Sequence, residues 1–474
     1  MTDQSFSAEN FEKIFNIENR KGNITKDMLP ETYITTIKDI KNEKQELQKK
    51  IQEYQKEEIT KEELNDFRSR TRDKINLLKK KKENILYDEL KCISKNVNNS
   101  KFKFEFCSSE HKGKATYLLG DDLPQYYAMK QLQYNIKRTF KVKQSDRYRI
   151  VKQIKILLAD AFPKIIIRTD IKSFFENIPQ DILLKKINNS TLLNYQSKKF
   201  IKNIIDEYES LKNQELPSGV GIPRGIGISA YLSELYMHDI DNRIKAMNNV
   251  TFYARYVDDI FIIISPIHGN LADSYMSEIT KILEEYKLHL NESKTIAYDL
   301  LRNNDVMETY SFSYLGYIFD IRLSKSIYSM TVGLSVDKMK RYMQRLEYSF
   351  DDYNKESKYN EKKARKILFN RIRFLTGNTK LLTSKKSIKV GIYYSNSLLD
   401  DTWFRTKFGA LDGYLKKMIH TNLHPYCTES FNLNKLKTRL ENSFNFTDGF
   451  KNKRFHNFTI DEFYLIRKIW DDEE

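Results

Sequence analysis

Only three cysteines occur in the 474 residues, Cys92, Cys107 and Cys427, and none sits at CxxC spacing or beside a paired histidine set. That leaves no disulfide framework and no zinc site to read, and it suits a reducing compartment. No apolar run approaches the ~18 residues of a spanning helix, which argues against a membrane partner. The opening stretch MTDQSFSAENFEKIF lacks an apolar signal core, so a cytoplasmic location is expected. Glycine and proline are missing altogether from Glu31 to Lys112, where charged residues dominate. Acidic residues are short too: 64 Asp and Glu face 81 Lys and Arg, a net charge of +17. An imbalance of that size calls for a polyanion, nucleic acid before an anionic membrane surface.

A hydrophobic fraction of 40% is enough for two or three packed units. Thirty Tyr and 28 Phe accompany the charge. Such interleaving suits a surface that grips phosphates and stacks on bases, and equally an aromatic core beneath solvated lysines. In the region without glycine or proline, Ile37, Ile40, Leu47, Ile51 and Tyr54 recur at helical spacing, as do Leu64, Phe67, Ile75 and Leu78. They predict two long amphipathic helices, antiparallel, with a break near Ile59 and Thr60. The run Lys79 to Lys82 reads as a solvated helix face, with RNA contact as the alternative.

Between about 121 and 333, short Ile-, Val- and Tyr-rich runs alternate with helical segments, which predicts a mixed sheet with helices on one face. KIIIRTD, 164 to 170, reads as a buried strand ending in a carboxylate. After Val332 the pattern is helical again, with one basic helix carrying Lys338, Lys340, Arg341 and Arg345. A second carries Lys362, Lys363, Arg365 and Lys366, candidates for nucleic-acid contact.

The stretch FYARYVDDIFIII, 252 to 264, sets Asp258 and Asp259 side by side between β-branched runs. A tandem Asp in a hairpin is ordinary turn chemistry. Its flanks here are those of buried sheet, where two carboxylates repel unless a cation bridges them. If this strand pairs with the one ending at Asp170, the carboxylates converge as ligands for two metals in a phosphoryl transfer. Mg2+ fits, with Mn2+ as a substitute.

In this setting the motifs resemble those of reverse transcriptases. YVDD is similar to the family's YxDD box, and RTDIKSFFENI (168 to 178) to its first carboxylate motif. GIPRGIGISAYLSELYM (221 to 237) looks like the segment supporting template and incoming nucleotide. LHLNESKT (288 to 295) and FSYLGY (312 to 317) are similar to the motif carrying a lysine and to the primer-grip hairpin. The resemblance covers about 150 residues, with the boxes in the family's order. It implies an α+β right-hand polymerase: a helical N-terminal extension over 1–120, fingers and palm over 121–333, and a helical basic thumb and C-terminal region over 334–474.

It also implies the roles. Asp170, Asp258 and the weaker Asp259 would hold the metals, with the backbone of Ile171, and Lys294 would protonate the departing pyrophosphate. Phe175 would lie under the sugar and exclude a 2′-hydroxyl; RNA-dependent RNA polymerases usually have Asp there and GDD at the turn. Arg224 and Gly225 would meet the nucleotide, Arg224 standing where many relatives have Gln. Lys143, Arg147 and Arg149 are the candidates for gripping its triphosphate, with a solvated strand edge as the alternative. Tyr314, Leu315 and Gly316 would form the primer grip.

Partners would be RNA, the DNA product and deoxynucleotides, with a homo-oligomer as a further expectation. Leu375-Thr376-Gly377 is similar to the retron Val-Thr-Gly turn without matching it. Together with the palm box and the two helical ends, it looks most like the bacterial defence-associated, abortive-infection-type enzymes. That implies DNA made on a non-coding RNA or without a template, with protein priming. A retron-type enzyme making RNA-linked DNA is the alternative, and a catalytically idle RNA-binding scaffold is a third reading.

Overall fold

A computed structural model describes residues 3–111, 113–143, 145–213, 216–266, 271–301, 305–381, 388–424 and 433–471. Cys427 lies outside the described residues; Cys92 and Cys107 are exposed free thiols. The chain is α+β. Its elements run α1 (Ala8–Lys21), α2 (Glu31–Gln55), α3 (Lys61–Val97), β1 (Phe106–His111), β2 (Lys114–Leu119), α4 (Leu123–Thr139), α5 (Arg147–Leu157), β3 (Lys164–Asp170), α6 (Phe174–Asn177), α7 (Gln180–Asn188) and α8 (Tyr195–Leu211). There follow α9 (Ser229–Lys245), β4 (Val250–Tyr256), β5 (Asp259–Ile264), α10 (Ala272–Glu285), β6 (Ile296–Leu300), β7 (Glu308–Tyr314), β8 (Tyr317–Leu323) and β9 (Tyr328–Leu334). The chain continues through α11 (Val336–Thr376), β10 (Asn378–Lys380), β11 (Lys389–Gly391), α12 (Asp401–Thr421), α13 (Leu433–Ser443), α14 (Phe446–Lys451) and α15 (Ile460–Asp471).

These elements form two compact units, residues 1–144, 171–243 and 282–289 in one and 145–170, 244–281 and 290–474 in the other.

In the first unit, α2 and α3 pair as the predicted hairpin. The break falls where Thr60 caps α3: its hydroxyl accepts from the Glu63 N–H while the Glu63 carboxylate takes the Thr60 N–H. The C-terminal part of α3 packs on α1 and α4. Phe6 is buried and its carbonyl is held by Ser94 and Asn98, so the N-terminal segment is built into this unit. Lys79, Lys80 and Lys81 are exposed, as a solvated face requires.

In the second unit, a four-stranded sheet of order β4-β5-β3-β6 is entirely antiparallel. β3 and β5 are its inner strands, and their Ile-rich sequences are buried along nearly their whole length. A second antiparallel sheet, β7-β8-β9, shares one hydrophobic core with it and with α5, α11 and the C-terminal helices. Ser335 caps α11, which bends where Asn360 leaves helical geometry. Among the described residues no helix is long and apolar enough to cross a membrane.

Candidate active site

Register in the four-stranded sheet decides where the carboxylates go. β3 and β5 pair so that Asp170 stands opposite Asp259, and directly opposed residues present their side chains to one face. β4 and β5 are joined by a two-residue turn, Val257 and Asp258, closed by the Tyr256–Asp259 pair. The tandem carboxylates therefore have different backbone settings, Asp258 in the turn and Asp259 in the strand. One oxygen from each of Asp170, Asp258 and Asp259 lies within 4.8 Å of the others.

The turn is strained. Val257 adopts φ +61°, a left-handed conformation that a β-branched residue seldom accepts. Buried Arg255 braces it, its guanidinium donating to the Val257 carbonyl at 2.7 Å. Tyr314 lies beneath, fully buried, its hydroxyl donating to the Asp259 carbonyl at 3.2 Å.

Cations surround the cluster unevenly. The Lys294 ammonium lies 2.9 Å from Asp170 Oδ2. Asn291 ties its segment to the same residue, donating from its backbone to the Asp170 carbonyl at 2.7 Å. The Arg168 guanidinium reaches Asp259 Oδ1 at 2.8 Å and the Lys294 carbonyl at 2.9 Å. Burial, and next the nearby Asp170, raise the Asp258 carboxyl above its ordinary range. Burial also raises Asp259, outweighing the Arg168 charge that pulls it down. The Lys294 ammonium is raised by its hydrogen bond to Asp170. Carboxylates packed this closely, with their charge only partly offset, fit a divalent cation.

Arg168 and Asn291 received no role from the sequence, although Arg168 carried a signal. It stands two residues before Asp170 on a strand, hence on the same face. Ile171 is buried and follows Asp170 directly in the chain.

The other expected residues fall as follows. Leu315 (φ +47°) and Gly316 (φ +74°) form the two-residue turn between β7 and β8. Tyr314 is core and offers no side-chain surface to a primer. Arg147 opens α5, whose N-terminus Asp146 caps, so this segment is helical and the strand-edge alternative is excluded. Its Nε donates to the Leu315 carbonyl at 2.8 Å, and a Cβ on Gly316 would lie 2.5 Å from its Nη2. Arg149 is exposed beside Asp146, and Lys143 is exposed outside any helix or strand.

Within the first unit, Phe174 is buried and Phe175 only partly so. The Arg224 guanidinium lies 5.6 Å from the Phe175 ring centroid and 2.9 Å from a Glu176 oxygen, so its charge is matched locally. A Cβ on Gly225 (φ +98°) would meet the Tyr117 carbonyl at 2.7 Å; close approach of β2 is one reason for glycine there. On α11, Lys362, Lys363 and Lys366 are exposed, Lys366 pairing with Glu462 at 2.9 Å and Arg365 lying 3.5 Å from Glu361.

A family model described as reverse transcriptase (RNA-dependent DNA polymerase) matches residues 59–319. No curated protein sequence matches the chain. Among solved structures, apo telomerase from Candida tropicalis is similar at 12% identity and a TM-score of 0.37, covering 79% of this chain and 62% of that one. Telomerase from Candida albicans in complex with a fragment of telomeric RNA gives 11% and 0.33, covering 80% and 63%. The Candida tropicalis enzyme truncated from its C-terminal domain gives 13% and 0.32, covering 48% and 54%. In each case the chain spans less than two thirds of the telomerase.

Proposed function

The chain belongs to the reverse transcriptase family, and from that premise we propose that it is an RNA-directed DNA polymerase whose catalytic centre is Asp170, Asp258 and Asp259. The observation that carries this is the convergence of the three carboxylates within 4.8 Å on paired strands. They would hold Mg2+ ions, which supply Lewis-acid stabilisation of charge on the reacting phosphate oxygens.

The reaction is attack of a primer 3′-hydroxyl on the α-phosphate of a deoxynucleotide, with release of pyrophosphate. Arg168 holds Asp259 in register, and its bond to the Lys294 carbonyl ties the lysine segment to the same strand. Lys294 stays protonated through its bond to Asp170 and can pass a proton to the departing pyrophosphate, help typically worth ~10²–10⁴ in rate. Phe175 would select deoxyribose, and Arg147 acts by bracing the Leu315–Gly316 turn. Primer extension with Asp258→Ala tests the core of this reading: extension should vanish while RNA binding persists, and an equally active variant would overturn it.

Within the family, we place the chain with the bacterial defence-associated enzymes. The support is the palm box from Gly221 to Met237, the Leu375-Thr376-Gly377 sequence at the end of α11 and the helical segments that precede and follow the palm strands along the chain. RNA, acting as template or as a bound non-coding partner, would be the main ligand. The test is sequencing of nucleic acid that co-purifies with the protein, beside phage plating on cells expressing parent and Asp258→Ala. Protection lost with Asp258 supports the defence role. RNA covalently joined to its DNA copy would instead assign a retron-type enzyme.

A further inference from the structure

Glu176, next to Phe175 in the chain, turns both carboxylate oxygens toward one nitrogen of Arg224, Nη2, at 2.9 and 3.2 Å. The Arg224 Nε is buried and has no hydrogen-bond partner among the described residues, so Glu176 decides where the guanidinium lies. It lies 5.6 Å from the Phe175 ring centroid, and the buried Phe174 ring stands 5.4 Å from the same centroid. Phe175 therefore has a core ring beside it and a cation over it.

The backbone around this group is pinned. The Ile222 N–H donates to the Phe175 carbonyl and the Gly221 N–H to the Ile178 carbonyl, each at 2.8 Å. The Arg224 carbonyl accepts from the Tyr117 N–H at 2.7 Å. Gly221 (φ +92°) permits the close approach, since a Cβ there would lie 3.0 Å from the Glu176 carbonyl. Adjustment is left to the side chains of Phe175, Glu176 and Arg224, all partly exposed. A ring excludes a 2′-hydroxyl only as far as it cannot swing aside, and a phenylalanine free to change rotamer yields to the extra oxygen. A guanidinium over its face opposes that movement. An arginine matched by a carboxylate is also a weaker phosphate ligand than a free one, because the unlike charges already offset each other.

Resting on the assignment of Phe175 to sugar choice, we propose that Glu176 is a positioning residue. Its carboxylate holds Arg224 over the Phe175 ring, and the pair sets how strictly the site takes deoxyribose over ribose. Arg224 then serves the sugar gate and not the triphosphate.

The test is single-nucleotide incorporation of dGTP and GTP by the full chain, with Mg2+, on a DNA primer annealed to RNA. Glu176→Gln should lower discrimination, the ratio of the two kcat/KM values, about threefold to tenfold through a gain for GTP. Arg224→Ala should relax it likewise, and adding Glu176→Gln to Arg224→Ala should change nothing further. Circular dichroism checks that each variant is folded. An equal loss of kcat/KM for both nucleotides, or a Glu176→Gln effect that persists without Arg224, overturns the proposal. Phe175→Ala separates it from the assignment beneath it. Relaxed choice in Phe175→Ala with none in Glu176→Gln removes the role of Glu176 alone. Unchanged choice in Phe175→Ala, or no incorporation by the parent, removes the gate and the proposal with it.

Discussion

At the residue scale, the carboxylate cluster stores unfavourable energy that a cation would relieve. Asp258 binds its proton more tightly in the folded chain than at its ordinary value of 3.8, so its ionisation opposes folding as pH rises. Replacing it with Asn should therefore stabilise the metal-free protein. That gain is absent below pH 3.8 and grows as pH climbs through the raised folded value. At neutral pH in EDTA, Asp258→Asn should raise Tm by about 1–3 °C. Mg2+ should then raise the parent's Tm more than the variant's. A gain in Tm of the variant over the parent that is the same at pH 4 and at pH 8 in EDTA would remove the electrostatic account. Phe175 is the residue to test for sugar choice: Phe175→Ala should lower discrimination against ribonucleotides by ~10-fold or more, read from single-nucleotide incorporation. Unchanged discrimination would leave Phe175 as a support for Arg224, whose guanidinium lies over its ring.

At the element scale, turns and helix ends position the chemistry. The β7–β8 turn needs two left-handed residues in succession, and Arg147 fills the space beside the second. Gly316→Ala should cost about 1–3 kcal/mol in urea unfolding, from backbone strain and the displaced guanidinium. If the variant unfolds at the parental urea concentration, Arg147 is not packed where the structure has it. The segment from 147 to 157 shows why this contact was not legible in the sequence. Its basic residues read as phosphate ligands by their place in the chain, yet its helix is capped by Asp146 and aims Arg147 at a carbonyl 168 residues away. The long N-terminal hairpin was legible, because helical periodicity is a local signal; the capping box that sets its break at Thr60 came from the structure.

At the scale of the whole molecule, the net charge of +17 should appear as salt-dependent RNA binding. Each phosphate neutralised on a single strand contributes ~0.7 to the slope of log affinity against log salt. A titration between 50 and 300 mM salt should show a steep fall, and a flat response would mean the charge serves another purpose. The charge is not evenly available: Lys366, Arg365 and Arg224 have acidic neighbours, whereas Lys362 and Lys363 stand exposed on α11.

What the sequence by itself determined was the class of elements, their order and the identity of the three carboxylates. Those depend on periodicity, turn chemistry and short motifs, all read within a few residues. Only the tertiary structure decided that Asp259 rather than Asp258 stands opposite Asp170, that Tyr314 is core, that Arg168 spans Asp259 and Lys294, and that the units interleave along the chain. The physical reason is register. A strand's own residues set which of them share a face, while its partner's alignment, fixed by burial across the sheet, sets which residues meet.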